Sequence, residues 1–192
     1  MGVVKKIVIV GPESTGKSTL CEKLAAHYNT IWVKEYAREY LLQNGTNYTF
    51  ENLLDVAKGQ LNLEEKGIKE LENKLAAQNT HSPFTINHSP LFIDTDQYVM
   101  KTWCEFVFGQ CHQWILNQVA ERKYDLYFLG GIDAPWVKDE LREYPDFETR
   151  EKLYHHYKDI LVNQDVPWVE INGSYDERLQ KAITAVDKIL NS

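Results

Sequence analysis

Short apolar runs alternate along the chain with longer segments in which apolar residues recur every three or four positions. The runs have the length and composition of buried β-strands and lie at about residues 4–10, 30–34, 90–94, 124–130 and 166–171. The longer segments predict helices at residues 51–78 (one long helix or two), 96–108, 110–122, 147–163 and 175–190. The polar residues 79–83 predict an exposed loop. Strands that alternate with helices are typical of an α/β protein, so we predict a central parallel sheet of five strands with helices on both faces.

The size and charge of the chain narrow the classes of protein to consider. A chain of 192 residues without a repeat or linker predicts one domain over residues 1–192. A net charge of −7 without a dense Lys/Arg cluster argues against a DNA or RNA partner. No long apolar segment or signal peptide is present, which predicts a cytoplasmic protein with no membrane partner. The cysteines lack metal-ligand spacing and predict core thiols rather than a zinc site; they are Cys21, Cys104 and Cys111.

A glycine-rich segment directly follows the first predicted strand. Residues 11–18, GPESTGKS, fit the pattern G-x-x-x-x-G-K-[ST], and residues 19–24 continue with helical spacing. Such glycines let the backbone fold around phosphate with its N–H groups inward, and the helix N-terminus favours the negative charge. In this chemistry Lys17 reaches the β- and γ-phosphates and Ser18 ligates Mg²⁺. We predict that ATP·Mg²⁺ binds this phosphate loop through Gly11, Glu13, Ser14, Thr15, Gly16, Lys17, Ser18 and Thr19.

Charged residues follow the second and third strands, at the sheet edge where parallel α/β proteins bind ligands. Glu35 and Arg38 follow the second strand and predict a general base and a phosphate or substrate contact, the alternative being the charged start of a helix. The third strand ends at Asp94, an apolar run closing on an acid as in a Walker B segment, which predicts a Mg²⁺ ligand. The alternative for Asp94 and for Asp96 is a helix N-cap.

A polar stretch at residues 131–146 follows the fourth strand, and we call it the lid. Arg142 lies in this stretch and Arg150 lies in the next predicted helix. These residues predict a mobile segment that supplies guanidinium groups to a transferring phosphoryl group, the alternative being an ordinary surface loop. After the fifth strand, Asn172 and Gly173 suit a turn near the adenine edge of the nucleotide.

The combination of motifs selects among phosphate-loop proteins. No N-K-x-D guanine motif occurs, and a short chain with an acid after the second strand and an arginine-bearing lid fits a nucleoside or nucleotide kinase. The segments GPESTGKSTL, WVKEYAREYL, LFIDTDQYVMKTW and DAPWVKDELR resemble the ribosylnicotinamide kinase domain of NadR-type proteins over nearly the whole chain. Glu140 departs from this pattern, because the family often has glycine there. No adenylyltransferase motif is present, so we expect neither NAD synthesis nor transcriptional repression.

The resemblance implies ATP-dependent phosphorylation of the 5′-hydroxyl of nicotinamide riboside, giving nicotinamide mononucleotide. In this reading Lys17, Glu35, Asp94, Arg142 and Arg150 carry the chemistry, with Ser18 and Asp94 at the metal. The expected substrate contacts, including aromatic residues that face the pyridinium ring, are Glu35, Tyr36, Arg38, Asp96, Tyr98, Trp103 and Trp136. Two alternatives stay open, namely a kinase for another nucleoside or small alcohol, and a nucleotide-sensing ATPase module.

Overall fold

The computed structural model of the protein describes residues 3–78 and 88–191 and contains a five-stranded parallel sheet. The strands are β1 Val3–Val10, β2 Trp32–Val33, β3 His88–Asp94, β4 Leu126–Gly130 and β5 Trp168–Ile171. Their order across the sheet is β2-β3-β1-β4-β5. The predicted α/β fold with a central parallel sheet is confirmed. The loop predicted at residues 79–83 lies outside the described residues.

Helices connect these strands and cover both faces of the sheet. They are α1 Lys17–His27, α2 Tyr36–Asn44, α3 Phe50–Gln78, α4 Gln97–Phe108, α5 Gln113–Glu121, α6 Phe147–Val162 and α7 Tyr175–Leu190. The predicted segment 51–78 is therefore a single helix. Helix α2 was not among the predicted helices, and its start was given only as the alternative for Glu35. Its apolar residues recur with helical spacing, but the helix has only nine residues and none of them is fully buried. The predicted strand 30–34 is only two residues long at the sheet edge, where it pairs with β3 alone.

Alternate residues of the sheet point to two apolar layers. Val8 and Val10 of β1 face a cluster formed with α3 and α6, whereas Ile7 and Ile9 face a cluster formed with α1 and α7. All four side chains are at most 1% exposed. Burial on both faces explains the uninterrupted apolar run in the sequence.

A third apolar cluster lies among the helices and contains no strand residue. Helices α3, α4 and α5 meet there through Leu53, Val56, Met100 and Ile115, with α2 packed against them. Cys104 belongs to this cluster, and the described cysteines are all free thiols. This packing places α2, α3 and α4 as a wall beside the carboxyl ends of β1 and β3. Among the described helices, none combines the length and apolar character that a bilayer crossing requires.

Candidate active site

The phosphate loop leaves β1 in a conformation that depends on glycine. Gly11 has a φ of 137°, and a Cβ atom there would lie 3.0 Å from the carbonyl oxygen of Gly130 in β4. Gly16 has a φ of 79° and is the N-cap of α1, where no side chain caps the helix. The first N–H groups of a helix have no partner within the helix, and an anion can satisfy them. The loop and helix start therefore fit the phosphates of a nucleotide.

Lys17, the first residue of α1, folds its ammonium group back over this loop. Its Nζ donates hydrogen bonds to the carbonyl oxygens of Gly11 at 3.0 Å and Pro12 at 2.9 Å. The hydroxyl of Thr15 also donates to Pro12, at 2.9 Å. The loop thus holds one positive charge against its own backbone, beside the start of α1 that favours anions.

Ser18 and Asp94 form a pair that fits a hard divalent cation. The Ser18 hydroxyl donates to Oδ2 of Asp94 at 2.5 Å, and the Asp94 side chain is completely buried. Oδ1 of Asp94 is buried without a hydrogen-bond partner among the described residues. Burial and then the charge of Glu35 raise the pKa of Asp94 to about 7, while Lys17 and Ser18 oppose this shift. A buried carboxylate oxygen without a partner beside a hydroxyl matches the oxygen ligands that Mg²⁺ takes in proteins.

Glu35 lies at the start of α2 and lines the same cleft as Lys17 and Ser18. It occupies the N-cap position, but its side chain makes no capping hydrogen bond, so its carboxylate is available for other contacts. Gln60 of α3, which is 1% exposed, fixes this corner of the site. The Gln60 amide accepts from the Tyr36 N–H at 2.7 Å and donates to the Asp94 carbonyl at 3.3 Å. This buried amide thereby joins the ends of β2 and β3.

The cleft has a volume of about 220 Å³ and runs from the phosphate loop between α2, α3, α4 and the lid. Three side chains that line the cleft are joined by hydrogen bonds, namely Trp103, Tyr48 and Glu143. Nε1 of Trp103 donates to the Tyr48 hydroxyl at 3.0 Å, and Tyr48 donates to Oε2 of Glu143 at 3.2 Å. Burial raises the pKa of Glu143, and the Tyr48 bond opposes that rise. This aromatic and acidic group suits a flat ring that carries a positive charge.

Main-chain N–H groups of the lid donate hydrogen bonds to side chains of the phosphate loop. The Glu13 carboxylate accepts from the N–H of Glu143 at 3.1 Å and from the N–H of Tyr144 at 3.2 Å. The Ser14 hydroxyl accepts from the N–H of Val137 at 2.9 Å. Glu13 and Ser14 therefore connect the lid to the loop, and their predicted contacts with the nucleotide stay predictions.

The two arginines predicted to act on the phosphoryl group, Arg142 of the lid and Arg150 of α6, occupy different environments. Arg142 lines the cleft and donates to the Ser14 hydroxyl at 3.3 Å. Arg150 is 4% exposed, lies in the first turn of α6, and is not among the residues that line the cleft. The Trp136 ring lies 5.8 Å from Cζ of Arg142 and 5.5 Å from Cζ of Arg150. Trp136 thus contacts the two guanidinium groups rather than the cleft where a substrate ring would lie.

The structure divides the other predicted substrate contacts into two groups. Trp103 and Arg38 line the cleft, and Arg38 also forms an ion pair with Asp139 of the lid at 3.0 Å. Tyr36 does not line it, because its ring packs against Gly59 of α3. On the nucleotide side, Asn172 is exposed and accepts from Lys181, away from the cleft.

Asp96 and Tyr98 are also away from the cleft. The Asp96 side chain is 1% exposed, caps α4 by accepting from the N–H groups of Tyr98 and Val99, and accepts from the Tyr127 hydroxyl at 2.8 Å. The Tyr98 ring packs against that of Tyr127. Asp96 therefore acts as the N-cap of α4, which was the alternative interpretation. Its carboxylate accepts from Tyr98, Val99 and Tyr127, and Asp96 itself does not line the cleft.

Side chains of the site that the sequence did not indicate are Tyr48, Gln60 and Glu143, together with Arg178, which donates to the Thr15 carbonyl of the phosphate loop at 2.9 Å. Tyr48 lies between α2 and α3, in a segment without periodicity, and Glu143 lies in the irregular lid. The segment DAPWVKDELR, which resembles the NadR-type family, ends at Arg142. Glu143 is the next residue, so extending the compared segment by one position would have included Glu143.

A parallel sheet of order β2-β3-β1-β4-β5, a phosphate loop between β1 and α1, and an acid at the end of the adjacent β3 together define a P-loop NTPase fold. The sequence model of the AAA domain family matches residues 6–178, and the chain belongs to this family.

Curated relatives and solved structures share this fold. The chain is 27% identical to the trifunctional NAD biosynthesis/regulator protein NadR of Escherichia coli strain K12 over 97% of its length, and equally to that of Salmonella typhimurium strain LT2. It spans 43% of the length of each. A NadR protein in complex with NR superposes with a TM-score of 0.73 at 21% identity, covering 98% of this chain and 52% of that one. A NadR protein in complex with NAD and AMP-PNP gives 0.68 at 20% identity, covering 98% and 50%.

Proposed function

We propose that the protein is a kinase that transfers the γ-phosphoryl group of ATP to the 5′-hydroxyl of nicotinamide riboside, giving nicotinamide mononucleotide. One observation carries the proposal: a single cleft holds the phosphate loop, the Glu35 carboxylate and the group formed by Tyr48, Trp103 and Glu143. The similarity to NadR proteins, one of them in complex with NR, supports the same acceptor.

The acceptor specificity follows from the charge of the pyridinium ring. A cation over an aromatic face gains about 0.5–2 kcal/mol, and Glu143, which is exposed at the lining of the cleft, adds an opposite charge in the same place. A neutral nucleobase gains neither contribution. The cleft therefore favours the cationic nucleoside over neutral nucleosides of the same sugar.

The proposed chemistry distributes three tasks among the residues of the cleft. Lys17 neutralises negative charge on the transferring phosphoryl group, and Glu35 accepts the proton of the attacking hydroxyl. Ser18 and Asp94 hold Mg²⁺, which when bound neutralises charge on the phosphate oxygens. Because phosphoryl transfer depends mainly on positioning and electrostatics, these groups cover most of what the reaction needs.

A panel of acceptors tests the proposal. We expect nicotinamide riboside to give a higher kcat/KM than adenosine, cytidine, uridine and thymidine when ADP release is measured. A neutral nucleoside preferred at least about tenfold, a difference of about 1.4 kcal/mol, would exclude the proposed acceptor and leave the kinase class intact. Equal ADP release with and without any nucleoside would instead indicate an ATPase.

A variant in the group formed by Tyr48, Trp103 and Glu143 tests whether the acceptor preference depends on the charge of the ring. Glu143→Gln keeps the size of the side chain and its hydrogen bond with Tyr48 but removes the negative charge. KM for nicotinamide riboside should rise about three- to fivefold, the upper part of the range for one ion pair near the surface. KM for a neutral nucleoside should stay within about twofold, because its ring carries no charge for Glu143 to attract.

Arg142 and Arg150 allow a further test of the phosphoryl-transfer site. Arg142→Ala should lower kcat by more than it raises KM for nicotinamide riboside, because contacts with the phosphoryl group strengthen as charge develops. Arg150→Ala should lower kcat by less than Arg142→Ala does, because Arg150 does not line the cleft and lies next to Arg142 only through Trp136. It should also lower Tm, because its guanidinium is buried against Trp136. If both variants have wild-type kinetics, residues 131–146 are an ordinary surface loop.

A further inference from the structure

Arg178 is a buried side chain that the proposed reaction leaves without a task. It lies in the first turn of α7 and is 4% exposed. Its guanidinium donates to the carbonyl oxygens of Thr15 at 2.9 Å, Gly173 at 2.8 Å and Gly131 at 3.2 Å, and to the Asp133 carboxylate. One side chain thus connects the phosphate loop, the first residues of the lid and the turn between β5 and α7.

This junction is supported from both sides. The second oxygen of Asp133 accepts from the N–H of Gly173 at 2.6 Å, so the carboxylate is held independently of the arginine. Ser174 and Glu177 form a capping box at the start of α7, which fixes the turn that carries the Gly173 carbonyl. Farther along α7, Ala182 and Val186 are completely buried against the sheet. Arg178 therefore stands on a rigid element, as a side chain that must hold a backbone in place requires.

The contact with Thr15 has a consequence for phosphate binding. In a planar trans peptide the C=O and the N–H point in opposite directions. Arg178 holds the Thr15 carbonyl toward α7, and the N–H of Gly16 in the same peptide unit then points the other way, toward the cleft that the loop lines. Without the guanidinium, this buried carbonyl loses its donor and the peptide can rotate. A rotated peptide withdraws one N–H group from the phosphates.

We propose that Arg178 is a positioning residue for nucleotide phosphates: it orients the Thr15–Gly16 peptide and ties the phosphate loop to the first residues of the lid. The proposal rests on the proposed binding of a nucleotide at the phosphate loop. It adds a connection to α7 beside the lid contacts of Glu13 and Ser14, since Arg178 is separated from Thr15 by 163 positions in the chain.

The proposal is tested by titrating ADP with Mg²⁺, and separately inorganic pyrophosphate, into Arg178→Lys by calorimetry. Lysine keeps the positive charge but offers one nitrogen in place of the planar fork, so it cannot reach all the acceptors of the arginine. We expect Kd for both ligands to rise about tenfold, the effect of one hydrogen bond to a charged group. Pyrophosphate isolates the phosphate contacts because it carries no base.

Arg122→Lys is the matched control, because it changes a second partly buried arginine far from the loop. Arg122 binds Glu64 and Glu65 beside the amino-terminal end of β4, opposite the phosphate loop. This variant should lower Tm while Kd for ADP stays within about twofold of wild type. A loss of binding confined to Arg178→Lys therefore cannot come from destabilisation alone.

Two further outcomes would overturn the proposal in different ways. If wild-type protein binds ADP and Arg178→Lys binds it within about twofold, Arg178 has only a structural role and the proposed function stands. If wild-type protein binds neither ADP nor pyrophosphate, the proposed function and the positioning role both fall.

Asp133→Asn, which leaves the guanidinium in place but removes its charged partner, should raise Kd for ADP by less than Arg178→Lys does. An effect larger than that of Arg178→Lys would place the restraint in Asp133 instead.

Discussion

Replacing Lys17 with alanine should lower kcat by roughly a hundredfold or more, the effect of removing one group that stabilises transition-state charge. No other side chain of the phosphate loop, residues 11–19, carries a positive charge. The Lys17 ammonium already lies on the loop, bound to the carbonyl oxygens of Gly11 and Pro12. Neutralisation of the transferring group therefore has no substitute within the loop. ADP release with saturating nicotinamide riboside and ATP measures the effect.

Lys66→Ala provides the control for this result, because Lys66 is an exposed lysine of α3 away from the cleft. It removes the same charge from the protein and should leave kcat unchanged. If Lys17→Ala keeps more than about a tenth of wild-type kcat, a loss below about 1.4 kcal/mol, the loop is not part of the catalytic machinery.

Glu35→Gln and Asp94→Asn should affect different quantities: the first should lower kcat, and the second should raise the Mg²⁺ requirement. Glu35→Gln removes the base while keeping size and hydrogen-bonding capacity, so kcat should fall by roughly 10²–10⁴, the usual share of general-base catalysis. Affinity for ADP with Mg²⁺ should stay within a few-fold, because Glu35 is not hydrogen-bonded to the Ser18–Asp94 pair and acts on Asp94 only through its charge. Asp94→Asn should instead raise the Mg²⁺ concentration needed for half-maximal rate, because it removes a charged oxygen ligand. Initial rates over a Mg²⁺ series measure both effects.

Glu39→Gln is the control for these two variants. Glu39 is the next acid of α2 and is exposed, where it accepts from Gln43. Its removal changes the net charge by the same amount and should affect neither kcat nor the Mg²⁺ requirement. A Mg²⁺ requirement that shifts in Glu35→Gln and not in Asp94→Asn would reverse the two assignments.

Much of the fold was predictable because its signals are local in the chain. A strand segment buried on both faces must be apolar, and this makes the buried parts of β1, β3 and β4 visible as uninterrupted runs at residues 7–10, 91–93 and 126–129. The phosphate loop is equally local, since its glycine positions, its lysine and the start of α1 are consecutive. Helix α2 escaped prediction because it is only nine residues long and buries none of its side chains fully, so its apolar spacing is a weak signal.

Within the site, the sequence determined that the phosphate loop, Glu35 and Asp94 would share one edge of the sheet, because strands of a parallel sheet all end on that edge. Only the tertiary structure decided which side chains face the cleft. Asp94 and Asp96 are two residues apart, yet Asp94 pairs with Ser18 in the site and Asp96 caps α4 inside the fold. The difference depends on side-chain direction, which an apolar–polar pattern does not encode.

Contacts between distant segments were likewise decided by the tertiary structure alone. One example is the hydrogen-bonded group at the cleft, in which Trp103 belongs to α4, Tyr48 to the segment before α3, and Glu143 to the lid. These residues meet only because those elements pack around one cleft. Arg178 of α7 likewise reaches the phosphate loop, because α1 and α7 pack on the same face of the sheet. The sequence by itself determined the strands and the loop that binds phosphate, since these depend on neighbouring residues. The lining of the cleft depends on packing between elements far apart in the chain, and it was therefore decided by the tertiary structure.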